Sequence, residues 1–541
     1  VLLLAGALLV PTLNAVQNPI RLNSLGFLPD QAKQASVVPG GANFTVLRAA
    51  GGEVVFQGPL TGPLTNADTE EVLFTADFSV LCETGKYQLE VPGVGRSPVF
   101  AIGPEVYREP YVAAMRAFYL WRCGTAVKVH HAGQVYGHGA CHTNDAWLDF
   151  ITGRHESKPS VGGWHDAGDY NKYVVNAGVT VGTLLRAWED FGGRLEKIPL
   201  GVPEAGGLLP EFLAEMRWEL DWLFTMQTTN GAVYHKVSTV DFGPFLKPEE
   251  EHEPRYFAPC SSEATANFVG MMAAASRTFQ PYDPSYAEKC LQAAGRSYAW
   301  LTAHPARQKS DQSKFATGAY DVADEGARLW AATELWAATG RDDCLRDAEA
   351  RLREMDTAIP RRWDYGNPAP LGCLTYQGTS HPGRDESLVT LLRSNLVVRA
   401  DQIVAATAAH GYARPNLVGY GWGYNGQVAR QAVLLYAAHQ VSPRPEYRQT
   451  ACDAVGYLFG RNVHGRSYVT GFGHQPPMHP HDRGSASDGV PGPWPGFLVG
   501  GPHPRPTDWF DVQEDYRTNE IAINWNSALV YALAWLMGGT R

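Results

Sequence analysis

Two patterns of apolar and polar positions divide the chain. From about residue 16 to 103, short runs such as 35–38, 44–47, 53–56 and 85–91 are separated by Gly, Pro and an Asn-Ala-Asp cluster. Such runs bounded by turn residues predict strands, and several of them within a hundred residues predict a β-sandwich. After Gly103-Pro104 the spacing changes. Phe212, Leu213, Met216, Leu220, Leu223 and Phe224 recur at three and four, the period of a helix with one buried face. The same period predicts helices over about 106–122, 171–191, 211–228, 261–279, 284–302, 323–339, 343–357, 386–409, 422–440, 444–459 and 519–537. Helices of similar length joined by alternating short and long connections fit a ring of helical hairpins. The long connections, 123–170, 229–260, 358–385 and 460–518, are rich in Gly, Pro and aromatics. Loops of that length in a compact domain are usually functional, so they are expected to build one face of the ring.

Composition changes this picture little. The 541 residues carry a net charge of −10 with no basic tract, which argues against a nucleic-acid partner. The opening ten residues are apolar but too few to span a membrane, and they read as part of a secretory signal ending near Ala15. The expected division is a signal over 1–15, a β-sandwich over 16–103 and a helical domain over 104–541. The mature chain is expected to be secreted, off the membrane and monomeric, with no organic cofactor. Eight cysteines are scattered along the chain, unlike a small disulfide scaffold. Cys290 and Cys344 fall within helical patterns and are expected to be buried thiols.

The candidate chemistry sits in two acidic stretches. Gly162-Gly163-Trp164-His165-Asp166-Ala167-Gly168-Asp169-Tyr170 puts two carboxylates three residues apart in a glycine-rich loop feeding a helix. Asp166 and Asp169 point the same way if that loop closes as an early helical turn. Alone, Asp169 would read as a helix cap. The second stretch, Trp509-Phe510-Asp511 through Tyr516, Glu520 and Asn526-Ser527, lies near the other end of the chain.

Together these stretches resemble glycoside hydrolase family 9, the cellulase family built on an (α/α)6 barrel. A third signature, Ser467-Tyr468-Val469-Thr470-Gly471-Phe472-Gly473 leading to Pro480-His481-Asp482-Arg483, falls between them in the family's order. Gln475 departs from the pattern where Asn or a basic residue is usual. The opening Ile20-Arg21-Leu22-Asn23-Ser24-Leu25-Gly26-Phe27 is similar to the immunoglobulin-like module that precedes many such catalytic domains. The expected fold is therefore an immunoglobulin-like all-β sandwich followed by an all-α (α/α)6 barrel. The helical pattern continues to Met537, so neither a dockerin nor an appended binding module is expected.

Glycosidic hydrolysis by inversion needs an acid on the leaving oxygen and a base acting on water from the opposite face. The resemblance implies Glu520 as the acid, Asp169 as the base and Asp166 as a holder of the water. Asp511 would support the acid loop, while His481 and Arg483 would donate to sugar hydroxyls. Tyr516, Trp363, Tyr365, Trp422 and Tyr424 are candidate stacking residues. The implied activity is an endo-β-1,4-glucanase on cellulose or mixed-linkage glucan. The alternatives are an exo-acting glucosidase or glucosaminidase, with Glu249, Glu250, Glu251 and Glu253 walling one end of the cleft, and a silent glucan-binding protein.

Two metal sites are also expected. Cys123, Cys141, His142 and His165 make a tetrahedral zinc set, which relatives with the immunoglobulin-like module often carry. A Cys123–Cys141 disulfide competes with it in an exported chain. Thr317, Asp321, Asp324 and Glu325 resemble a calcium loop of the family, and an acidic helix start competes with that reading.

Overall fold

The computed structural model describes residues 18–355 and 359–538. The expected signal, 1–15, lies outside them. The first unit is a sandwich of β1 (Ile20–Arg21), β2 (Gly26–Phe27), β3 (Gln34–Val37), β4 (Asn43–Arg48), β5 (Val54–Thr65), β6 (Val72–Asp77), β7 (Gly85–Val91), β8 (Gly95–Arg96) and β9 (Phe100–Ile102). Their order is β1-β3-β6-β5-β4-β7-β9-β2, with β8 on β7. The alternation along β7 buries Tyr87, Leu89 and Val91 against Phe44 and Val46 of β4 and Val37 of β3. Phe27 meets Phe78 and Phe100 edge-on at 5.3 and 5.5 Å. The sequence pattern ended one strand at residue 56, yet β5 continues to Thr65. Pro59 and Pro63 hid its second half, because proline in a run argues against a strand. That half leaves β4 and pairs with β6 after a register shift between Thr61 and Leu64.

Twelve helices of ten residues or more follow among the described residues, alternating between an outer and an inner ring. The inner ring is Val174–Leu195, Ser262–Phe279, Glu325–Thr339, Ala369–Gly378, Tyr424–Val441 and Ile523–Leu536. The last of these packs on the first and closes the barrel. Burial separates the rings. Every residue of Ile523–Leu536 is buried, and of Ser262–Phe279 only Arg277 is not. Helices buried all round belong in a core, which is why their sequences show weak amphipathicity. Ala369–Gly378 was missed for that reason and lies inside the expected 358–385 connection. The inner helices run parallel, so the segments before each of them gather on one face, including 121–173, 227–261 and 459–522. Five of the six inner N-termini match the expected starts to within four residues; the sixth is the missed helix.

Polar contacts join the sandwich to the barrel. Ser24 N donates to Phe459 O at 3.0 Å, and Ser36 Oγ donates to Gly411 O at 2.6 Å. Asp68 accepts from His410 Nε2 at 3.1 Å and Tyr420 Oη at 2.5 Å, with Arg414 Nη2 at 3.4 Å. A carboxylate with three barrel donors is worth more than a surface pair, since losing it strands those donors. Asp68→Ala is therefore expected to lower the unfolding free energy by about 2 kcal/mol, measured by denaturant titration. A change indistinguishable from zero would mean the clamp contributes nothing.

Candidate active site

The loop that carries Asp166 and Asp169 is held by buried polar side chains. Glu219 accepts from Trp164 N at 2.7 Å, Glu215 accepts from Trp164 Nε1 at 2.8 Å, and Lys172 Nζ donates to the carbonyls of Ser160 and Gly162. The loop does not close as a helical turn. Lys172–Tyr173 is extended, and the helix starts at Val174 with Tyr173 as its cap residue. Asp169 is thus no helix cap. It accepts instead from Asn171 N at 2.7 Å.

The Glu520 segment lies against this loop. Ala167 bridges Ala522, His481 bridges Glu520, and Ile523 N donates to Asp166 O at 3.0 Å. Gly168 sits at the crossing. A Cβ there would meet His481 O at 2.2 Å, so only glycine lets the two strands touch. Glu520 is in extended backbone ahead of the helix Ile523–Leu536, not in its first turn as the pattern suggested. Residues from opposite ends of the chain, Asp166, Asp169 and Glu520, therefore share one electrostatic environment above two inner-helix N-termini.

Burial raises all three carboxyls, but unequally. Asp169 is pushed up to about 6 by burial and held from rising further by the Arg483 guanidinium and the Asn171 N–H. Asp166 is pushed to about 8 by burial and by Asp169, against donors Tyr320 Oη at 2.6 Å and Asn176 Nδ2 at 2.8 Å. Glu520 is raised well above the usual range by burial, then by Asp169 and Asp166. The three behave as a coupled set in which Asp169 ionises first.

Around the carboxyls, Arg483 is buried and bridges two loops, donating to Gly168 O at 2.8 Å and Gly243 O at 2.9 Å. Its expected role as a hydroxyl donor is largely replaced by this tether. His481 Nδ1 donates to Gln513 O at 2.7 Å, which leaves Nε2 as an acceptor in the neutral ring that burial favours. The donor role expected for His481 thus becomes an acceptor role. Asp511 accepts from Met478 N, His479 N and Arg466 Nη2 at 2.9–3.0 Å, and so braces the loop leading to His481.

Of the stacking candidates, Trp422 and Tyr516 are 44% and 49% exposed with ring centroids 5.6 Å apart, and Tyr516 is 6.0 Å from His481. Tyr365 is also exposed and lies edge-on to Tyr320 at 4.8 Å. Trp363 and Tyr424 need correcting. Each is 1% exposed, Trp363 under the Arg430 guanidinium and Tyr424 beside Arg414, so neither can meet a sugar. The residues missed by sequence reasoning are Tyr320, Asn171 and Asn176. Only Asn171 and Asn176, adjoining the aspartate loop, carried a positional hint.

The cysteine-histidine group is assembled. The donor atoms of Cys123, Cys141, His142 and His165 all lie within 4.8 Å of one another. Cys123 Sγ is 3.7 Å from His142 Nδ1, and Cys141 Sγ is 3.6 Å from His165 Nε2. Tetrahedral bonds of ~2.3 Å to sulfur and ~2.0 Å to nitrogen put S and N about 3.5 Å apart, so the group fits one metal ion. His142 has a φ of 49°, which turns adjacent Cys141 and His142 toward one centre. The competing disulfide is absent, since all eight cysteines are free; Cys290 and Cys344 are buried as expected.

The calcium loop does not fit a metal. Lys236 Nζ donates to Thr317 Oγ1 at 3.0 Å and to Gly318 O at 2.8 Å. Asp321 pairs with Arg307 and Lys309, Asp324 pairs with Arg328 at 2.8 Å, and Glu325 is an exposed residue of the first helical turn. Protein cations already occupy the oxygens a calcium ion would need. The glutamate wall also falls elsewhere. Glu249, Glu251 and Glu253 line a cavity of about 420 Å³ beside Cys141 and His142, with Asp145 and Arg255.

The profile of glycosyl hydrolase family 9 matches residues 107–533, and that of the cellulase N-terminal immunoglobulin-like domain matches 15–96. The chain belongs to glycosyl hydrolase family 9. It is similar to Endoglucanase D of Acetivibrio thermocellus, with 49% identity over 95% of this chain and 83% of the relative. It is 33% identical to a xyloglucan-specific endo-β-1,4-glucanase of Bacteroides ovatus, over 96% of this chain and 94% of that one. Among solved structures, a metagenome-derived family 9 endoglucanase superposes with a TM-score of 0.89 at 35% identity, covering 96% of this chain and 98% of its own. A zinc-binding triple mutant of the family 9 endoglucanase J30 superposes with a TM-score of 0.87 at 32% identity, covering 94% and 99%. The family 9 chain is thus a glycoside hydrolase of the cellulase type, an immunoglobulin-like sandwich followed by an (α/α)6 barrel. Among its described residues no helix is long and apolar enough to cross a membrane.

The Lys236 contacts yield a test. A calcium titration of the intact protein is expected to leave its melting temperature unchanged. Lys236→Met is expected to cost about 1–2 kcal/mol by removing the donor to Thr317 Oγ1 and Gly318 O. A calcium-dependent rise in melting temperature would restore the metal reading.

Proposed function

We propose that this chain is a secreted, inverting endo-β-1,4-glucanase acting on cellulose or mixed-linkage β-glucan, with Asp169 as general base and Glu520 as general acid. The observation that carries the reading is that the fold brings three carboxyls, Asp166, Asp169 and Glu520, together out of water. Crowding and burial leave Asp169 the easiest of the three to ionise and raise Glu520's hold on its proton well above the usual carboxyl range. One carboxylate and one carboxylic acid are what a single displacement consumes.

In that step Asp169 takes a proton from water as its oxygen attacks the anomeric carbon. Glu520 gives its proton to the leaving glycosidic oxygen as that bond breaks. Asp166, fixed by Tyr320 and Asn176, keeps the water aligned, and the charge on Asp169 raises the affinity of Glu520 for its proton. Asp511 orients the loop bearing His481, and Tyr365, Trp422 and Tyr516 supply apolar faces for successive sugar rings. Cys123, Cys141, His142 and His165 are read as a structural zinc site. Four protein ligands close its coordination, so zinc bound there braces the base loop through His165. Residues 16–103 are read as a bracing module and 104–541 as the catalytic domain. A polymeric substrate outside the cell and an apolar opening segment support export.

Proton NMR of the first reducing ends released from a soluble β-1,4-glucan is expected to show the α-anomer, and early β-anomer would overturn the mechanism. Viscosity should fall faster than reducing ends accumulate; the reverse would favour exo action. Glu520→Gln and Asp169→Asn should each lower kcat by about 10²–10⁴-fold while leaving oligosaccharide binding intact.

The acid limb of the kcat/KM profile should lie near the Asp169 value of about 6. Arg483 favours the ionised form, so Arg483→Met raises that value and the limb moves to higher pH. A limb that stays in place or moves to lower pH would remove Asp169 as the titrating base.

A further inference from the structure

Glu251 belongs to no part of the site described so far, yet it is buried against one of the four metal-group residues. Its Oε2 lies 3.1 Å from His142 Nε2, and His142 Nδ1 faces Cys123 Sγ at 3.7 Å. A carboxylate is an acceptor, so Nε2 carries the proton and the lone pair of Nδ1 points to the shared centre of the group. The other carboxylate oxygen lies against Gly243, where a Cβ would stand 2.6 Å from it. A side chain at 243 would push this oxygen aside.

The segment between Gly243 and Glu251 reaches residues that adjoin Asp169 and Glu520. Gly243 O accepts from Arg483 Nε at 2.9 Å, Leu246 O accepts from Tyr170 Oη at 2.5 Å, and Phe245 meets His481 edge-on at 5.3 Å. Arg255, farther along, lies 3.9 Å from Cys123 Sγ and 3.6 Å from Asp145. Residues 243–255 thus contact the metal group at one end and the neighbours of Asp169 at the other.

We propose that Glu251 is a positioning residue that fixes the tautomer of His142 for metal binding and thereby fastens the segment 243–255 to the metal centre. This rests on the zinc reading above. A carboxylate behind a ligating imidazole typically changes metal affinity 10–100-fold, and that is the scale expected here.

Zinc affinity of the full-length protein should be measured by competition with a chromophoric chelator. Glu251→Ala is expected to weaken it about 10–100-fold and Glu251→Gln by less, since the amide oxygen can still accept. Circular dichroism of both variants separates this from misfolding. Hydrogen exchange of 243–255 should rise alike in Glu251→Ala and in zinc-stripped wild type, with 211–226 as an unaffected reference. Wild-type affinity in Glu251→Ala overturns the tautomer assignment alone, and unchanged exchange of 243–255 overturns the coupling. A wild type that holds no zinc, or a Cys141→Ser variant that holds it as tightly, overturns the zinc reading and this inference with it.

Discussion

Everything on the active face depends on keeping three carboxyl groups close together and out of water. Burial disfavours charge on each, and each charge disfavours the next. Such a cluster persists only where the surrounding structure over-determines it. Here the backbone itself does so. Ala167 pairs with Ala522 and His481 with Glu520, while the glycine between the aspartates lets the His481 backbone lie against the loop. The two strands belong to segments about 350 residues apart, each running into an inner helix. Closing the barrel through the packing of Ile523–Leu536 on Val174–Leu195 is what makes them neighbours.

That requirement explains the charged residues buried beneath the loop. Its carbonyls are met by Lys172 and Arg483 and its N–H groups by Glu219, each a partner that water would supply at a surface. Charged donors in a dry site make strong, directional bonds, so the loop resists the repulsion it contains. Arg483 serves twice. It ties Gly168 to the facing wall, and its charge keeps Asp169 the easiest of the three to ionise. Position and electrostatics are set by one side chain.

Sequence reasoning saw the helices with strong periodicity and the sandwich strands with clean turn residues. It missed Ala369–Gly378, buried all round and without a polar stripe, and the second half of β5, masked by two prolines. The acids were legible because the signatures around them are local. The partners that tune them were not, because Tyr320 and Glu251 reach the loop only through the fold. The calcium reading failed on the same ground. Its candidate ligands all fall between residues 317 and 325, but the lysine that donates to Thr317 comes from residue 236. Trp363 and Trp422 look alike in sequence, each near glycines and aromatics. Only the Arg430–Asp364 pair beneath the first, at 2.9 Å, explains why it faces inward while the second faces solvent.

The sandwich enters this argument through the same logic of fixed loops. Asp68 holds Tyr420 and His410, and the segment between them and the inner helix Tyr424–Val441 carries Trp422. Tyr420 stacks near Tyr424 at 4.3 Å, with Arg414 5.0 Å above its ring. An exposed tryptophan two residues from such an anchor loses most of its freedom before any ligand arrives, and ordering cost already met in folding is not met again on binding. Through Asp68 the β-sandwich thus holds the tyrosine two residues ahead of the exposed Trp422.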